Sequence, residues 1–257
     1  MLVNFTQLFQ DSWNFIRNQK QFVLVLTGAF FFLSISMSLI NSILLAPMPI
    51  VTDMEQFKDP AFTEQFLQAQ GTKQNIFAFV LHQLIFSYLT CWGILSVHHI
   101  SQRTYHSLTQ MLALAFRRFP GVIALSILIT LPLFLSLANL ITTMTMQTSP
   151  SFFSILVPFF AIFIFIRLCL APVSYLITEQ RLSESVSFIW QTGIKRTMTL
   201  VIYCLIVYIV FQSIGQRLIS LASNIPIAVI TNLIIAFISS FTLVFTYRFY
   251  TMFIQKD

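Results

Sequence analysis

Leu182-Ser183-Glu184-Ser185-Val186-Ser187-Phe188-Ile189-Trp190-Gln191-Thr192-Gly193-Ile194-Lys195-Arg196 is too polar to cross a membrane and too apolar on one side to be a free loop. Leu182, Val186, Ile189, Trp190 and Gly193 recur at helical spacing and share one face, while Ser183, Glu184, Ser185, Gln191, Thr192 and Lys195 fall mainly elsewhere. Only Phe188 breaks the pattern. A long apolar run follows the basic pair Lys195-Arg196 directly. The stretch is therefore expected to be an amphipathic helix lying in a membrane interface and feeding a transmembrane helix. The same device recurs at Asn4–Lys20, where Asn4 and Gln7 stand at capping-box spacing to satisfy free amides at a helix start, and at Tyr105–Phe119.

Composition demands a lipid solvent. The chain has 257 residues, of which 57% are hydrophobic and only 9% charged, against roughly a quarter charged in a soluble domain. With so little polar surface it cannot be an ordinary water-soluble globule. A net charge of +6 would suggest nucleic acid in a soluble protein; here it has a simpler origin in topology, and no nucleic-acid partner is expected. Cys91, Cys169 and Cys204 each sit inside an apolar run without a CxxC spacing, so neither a disulfide framework nor zinc is indicated.

Outward from the opening stretch, six apolar runs have the length of membrane spans: 22–45, 76–97, 120–142, 152–177, 198–215 and 226–247. Each is apolar all round, as a lipid-embedded helix should be. The first run follows an amphipathic segment and is far longer than the roughly 7–15 residues of a signal-peptide core, so it is expected to stay attached as an anchor. Residues 46–75 form the one sizeable polar loop, in which Asp59-Pro60 and Gly71 predict a short helix over Pro60–Gln70. The predicted fold is all-α: one integral membrane domain, 1–257, with six transmembrane helices in three helix-hairpin units. Each unit is preceded by an amphipathic interfacial helix, with boundaries near residues 1, 98 and 178.

Charge placement sets the orientation. With a cytoplasmic N-terminus, the inner segments hold ten cations (Arg17, Lys20, Arg103, Arg117, Arg118, Arg181, Lys195, Arg196, Arg248, Lys256) and the outer ones three (Lys58, Lys73, Arg217). That bias lies in short loops, where the positive-inside rule applies, and predicts that both termini are cytoplasmic. It also brings basic helices to the anionic headgroups of the inner leaflet, so membrane lipids and other proteins within the membrane are the expected partners.

Several segments carry a resemblance: Asp11-Ser12-Trp13-Asn14-Phe15-Ile16-Arg17-Asn18-Gln19, Gln102-Arg103, Ala171-Pro172-Val173, and Tyr247-Arg248-Phe249-Tyr250-Thr251-Met252-Phe253-Ile254. Together they resemble the YciC family of inner-membrane proteins of gamma-proteobacteria, from end to end. That family carries no assigned activity, so the resemblance implies a multi-pass protein of the bacterial inner membrane and nothing more. More loosely, Arg167-Leu168-Cys169-Leu170-Ala171-Pro172 with Ser187 and Gly193 is similar to the membrane domain attached to some glycerophosphodiester phosphodiesterases. That domain is not the catalytic part.

Among single residues Arg167 stands out, because an arginine at mid-membrane costs about 2.5–3.5 kcal/mol and normally faces protein or water. If the fourth span is Phe152–Ala171, Arg167 lies one turn from its inner end and snorkels; if the span runs to Ile177, it is deep and must pair. Pro172 removes the donor for the Leu168 carbonyl, and a guanidinium suits such freed carbonyls or a lipid phosphate. Arg167 is thus expected to join the kink of span four to the Leu182–Arg196 helix, or to a phosphate beside it, rather than to line a deep pore, and Arg167→Lys is expected to retain much of the function. Trp13, Arg17, Trp190, Lys195 and Arg196 are the other expected structural or headgroup contacts.

No catalytic, cofactor or metal site is expected. The eight acids lie in the outer loop or at the inner surface, with none inside a span to relay protons. No GxSxG, Walker A or HExxH sequence occurs, and His98, His99 and His106 lack both the helical spacing and the companion ligands of a metal set. Two function classes remain: a non-enzymatic module for envelope or lipid homeostasis or partner scaffolding, and a transporter or lipid-translocating protein. A wet cavity around Arg167, Asn139 and Asn232 would favour transport, and a sealed bundle the module.

Overall fold

A computed structural model describes residues 3–44, 73–104, 107–145, 152–178, 180–194, 196–221 and 224–255. Within them the elements are α1 (Phe5–Asn18), α2 (Lys20–Leu44), α3 (Lys73–Ser101), α4 (Leu108–Thr145), α5 (Phe152–Leu168), α6 (Ala171–Ile177) and α7 (Leu182–Gly193). The sequence continues with α8 (Thr197–Cys204), a π-helical segment (Leu205–Val210), α9 (Phe211–Ser220) and α10 (Ile225–Ile254). The fold is all-α, with six stretches long and apolar enough to cross a membrane: Lys20–Ile40, Ile76–Ser101, Thr109–Asn139, Leu156–Ile177, Thr197–Ser220 and Ile225–Ile254. The helix expected over Pro60–Gln70 lies outside the described residues.

α10 is the pillar of the bundle. α2 runs antiparallel along it and the two are pinned by short polar side chains: Thr27 Oγ1 donates to Ser240 Oγ (3.0 Å), and Ser34 Oγ to Asn232 Oδ1 (2.7 Å). In hydrocarbon such bonds have no water to compete with, and small side chains let the backbones close up. Further along, Tyr203 of α8 stacks on Phe249 at 4.2 Å and donates to Thr246 Oγ1. Phe245, Phe249 and Phe253 form the buried heart of this packing. Outward, Phe32, Phe77, Phe134 and Phe159 stand exposed, which a water-facing surface would not tolerate together and a lipid-facing one requires.

α1 begins as its sequence predicts. Asn4 caps it, its side-chain oxygen accepting from the amides of Thr6 and Gln7. Leu8, Ser12, Phe15 and Ile16 are buried against the bundle. On its flank a ladder of rings follows α10: Phe5 against Phe249, Phe9 against Phe245 at 4.9 Å, and Trp13 edge-on to Phe237. Phe15, two residues beyond Trp13, lies instead against the Arg248 guanidinium of α10, 5.3 Å away.

Several boundaries differ from expectation. The Tyr105–Phe119 stretch is not a separate surface helix: from Leu108 onward it runs without interruption into the third span as α4, through Pro120 and Pro132. Proline removes one hydrogen bond from a helix but does not by itself end one. Span four breaks instead, at Cys169-Leu170, and α6 restarts with Pro172 in its first turn, where the missing N–H has no intrahelical partner to lose. Span five does not end at Gly215 and continues to Ser220; span six continues to Ile254, which places Arg248 within α10. Of the expected stripe on α7, Ile189 and Gly193 are buried, together with Ser185, and Val186 packs against the core, whereas Leu182 and Trp190 are more than a third exposed. Small side chains at 185 and 193 let this helix settle closely on the bundle.

Candidate functional site

The break in span four brings Arg167, the penultimate residue of α5, under the end of α7. It is only 3% exposed. Ile194, which would complete the helical ladder by donating to the Trp190 carbonyl, donates to Gln191 instead. Arg167 takes over that carbonyl, its Nη2 donating to Trp190 O at 2.9 Å. Its Nη1 donates to Thr197 Oγ1 at 3.1 Å, and that hydroxyl donates to the Gly193 carbonyl. The guanidinium also lies over the Trp190 ring, 4.9 Å from its centroid. A Cβ at Gly193 would stand 3.0 Å from Arg167 Nη1 and 3.1 Å from a Leu200 methyl, tighter than an ordinary contact, so glycine lets the guanidinium approach without displacement.

The helix C-terminus is where backbone carbonyls lack donors and where positive charge is favoured. Two more arginines use this. Arg118 of α4 donates through Nη1 to the carbonyls of Tyr175 and Thr178 at the end of α6. Arg196 donates through Nη1 to the Phe253 carbonyl at the end of α10, 2.7 Å away. Each basic side chain therefore caps a helix other than its own. Arg118 and Arg196 read in the sequence as topology signals, Arg196 also as a structural or headgroup contact; their carbonyl partners lie 57 to 60 residues away, beyond any local pattern.

The other expected contacts are dispersed. Arg17 is exposed near the end of α1, and Trp13, 53% exposed, borders Phe237. Lys195 lies outside the described residues, as does His106. His98 and His99 are engaged separately, Nδ1 of His98 lying 3.2 Å from the Tyr247 hydroxyl and Nδ1 of His99 2.8 Å from Thr104 Oγ1.

A cavity of about 390 Å³ lies elsewhere, between α3, α4, α6, α10 and the π-helical segment. Gln83, Ser87, Thr90, Gln212 and Ser239 face it among apolar neighbours, and among the described residues no charged one lines it. The π-helical turn interrupts the regular ladder of span five here and places Val207 and Tyr208 on the wall. Cys169 also lines it and accepts from the Cys204 thiol at 3.6 Å, a pairing that the spacing of the cysteines did not suggest. Arg167, Asn139 and Asn232 do not line the cavity. Asn232 is occupied by Ser34 and by the Ala228 carbonyl. The wet chamber expected of a transporter around those three residues is not the chamber observed.

Compared with known proteins, the chain is 32% identical over 255 residues to a protein of Haemophilus influenzae described as uncharacterized, covering 99% of this chain and 100% of that one. The chain belongs to that protein's family. The match spans both the arginine caps and the cavity, so the relatedness is that of whole molecules. No family model matches the chain, and neither does any solved structure.

Proposed function

We propose that the protein is a non-enzymatic, multi-pass module of the bacterial inner membrane that supports envelope and membrane-lipid homeostasis by holding lipid. The cavity supports this reading. Its size falls within the roughly 300–1,000 Å³ of ligand pockets, and its wall mixes hydroxyls and amides with apolar side chains, with no formal charge among the described residues. Such a chamber suits a neutral, largely hydrocarbon body, such as a lipid acyl chain near its ester, better than an ion or a charged solute. The resemblance to the YciC family agrees with an inner-membrane location, and basic residues beside amphipathic helices suit anionic headgroups at the inner surface.

The test compares the lipid profile and solute uptake of a deletion strain with those of strains restored by the wild-type chain or by a cavity-filling Ser239→Phe variant. The expected result is an altered lipid profile that only the wild-type chain restores, with solute uptake unchanged throughout. Intact lipids with a lost uptake activity would turn the reading toward a transporter.

A further inference from the structure

A second cleft, of about 410 Å³, opens between Asp11, Asn14 and Asn18 of α1, Arg103 just beyond α3, and Arg248 of α10. Lys20 and Ser101, which bound the first two spans, and Arg248, six residues before the end of the last, place it at the end of the bundle. That is the depth of the headgroups if these helices cross a bilayer.

Its side chains are unusual for a structural crevice. Arg248 is held by rings, its guanidinium 5.3 Å from the centroid of Phe15 and 6.0 Å from that of Tyr247. Yet its Nε is buried and donates to nothing in the protein, a state that burial normally forbids to a charged donor. Arg103 sits at φ 55°, the left-handed region that non-glycine residues rarely enter, and turns the chain at the cleft's rim. Two guanidiniums thus share the cleft with one carboxylate, the three neutral amides of Asn14, Asn18 and Gln19, and the Ser101 hydroxyl.

We propose that this cleft binds the phosphoethanolamine headgroup of a membrane lipid. Arg103 and Arg248 take the phosphate, for which the guanidinium fork is shaped. Asp11 takes the ammonium, and Asn14 and Asn18 add neutral bonds. The carboxylate decides between headgroups. A glycerol headgroup satisfies the arginines but brings no cation to Asp11, and a choline headgroup has no N–H to donate. The inference stands on the cleft alone and holds whether or not the larger cavity binds lipid.

The experiment uses the full chain in nanodiscs of phosphatidylethanolamine, phosphatidylglycerol and phosphatidylcholine in equal parts, with the retained lipids read by native mass spectrometry. Wild type is expected to retain phosphatidylethanolamine over the other two by about fivefold, the size of a half-exposed ion pair. Asp11→Asn should abolish that preference while keeping phospholipid bound. Arg248→Gln should lower retention of every phospholipid by about tenfold, with Arg248→Lys between. Arg217→Gln, exposed at the other end of the bundle, should change nothing. Equal retention of all three lipids by wild type, or an unchanged preference in Asp11→Asn, overturns the assignment. So does equal loss in Arg217→Gln. Displacement of the lipid by millimolar free phosphoethanolamine would overturn a membrane lipid as the occupant.

Discussion

Replacing Arg167 by leucine removes the cap of α7 without opening a large void. Two charge-assisted hydrogen bonds disappear, each contributing about 1.5–3 kcal/mol, along with a stacking contact on Trp190 of about 0.5–2 kcal/mol. Against this, leucine no longer requires a guanidinium inside the protein, a relief of about 2.5–3.5 kcal/mol at mid-membrane and less near a helix end. The net loss is about 2 kcal/mol, or roughly thirtyfold in the equilibrium for opening α7. Hydrogen exchange in lipid nanodiscs reads it directly. Amides of residues 182–194 should exchange about thirtyfold faster in Arg167→Leu, while those of α10 keep their protection. The geometry also bears on lysine: a single ammonium cannot meet both the Trp190 carbonyl and the Thr197 hydroxyl in the arginine's fork, so Arg167→Lys should lose about half the effect. A change below about twofold in the leucine variant, or acceleration spread evenly over all spans, would refute the capping argument.

Arg118→Ala should free the carbonyls of Tyr175 and Thr178 together and destabilise α6 by about 2 kcal/mol; faster exchange confined to residues 171–178 checks it, and unchanged protection there would contradict it. For the topology, reporter fusions within residues 53–70 and after Asp257 should be active only outside and only in the cytoplasm, respectively, as the distribution of lysine and arginine predicts. A cytoplasmic signal from the 53–70 fusion would invert the orientation.

The fold class was legible because lipid leaves few solutions: apolar runs of span length have only helices open to them. Asn4 announced the start of α1, and Pro172 marked the break in span four. Pro120 misled, because proline disfavours a helix interior without forbidding it, and α4 runs straight through. The stripe on α7 was legible only in part: Ile189 and Gly193 are buried as members of it, but Leu182 and Trp190 turn outward and Ser185 inward. Hydrophobicity says which face avoids water, but in a membrane the lipid welcomes large apolar groups too, so small ones such as Ser185 can take the bundle side. Arg167 was expected to reach the Leu182–Arg196 helix, and the carbonyl it meets there is that of Trp190; the Arg118 and Arg196 caps and the two cavities were not legible, since they depend on residues far apart in sequence meeting.

The ring ladder between α1 and α10 means something different in a bilayer from what it would mean in water. Acyl chains are as apolar as phenylalanine, so no hydrophobic gain separates an N-terminal helix docked on Phe237, Phe245 and Phe249 from one dissolved among lipids. Shape alone separates them: ring faces and edges meet their counterparts better than disordered chains do. Salt and denaturant in the aqueous phase have little hold on such a contact, whereas the order and thickness of the surrounding acyl chains compete with it directly. The first helix of this protein is thereby answerable to the physical state of the bilayer.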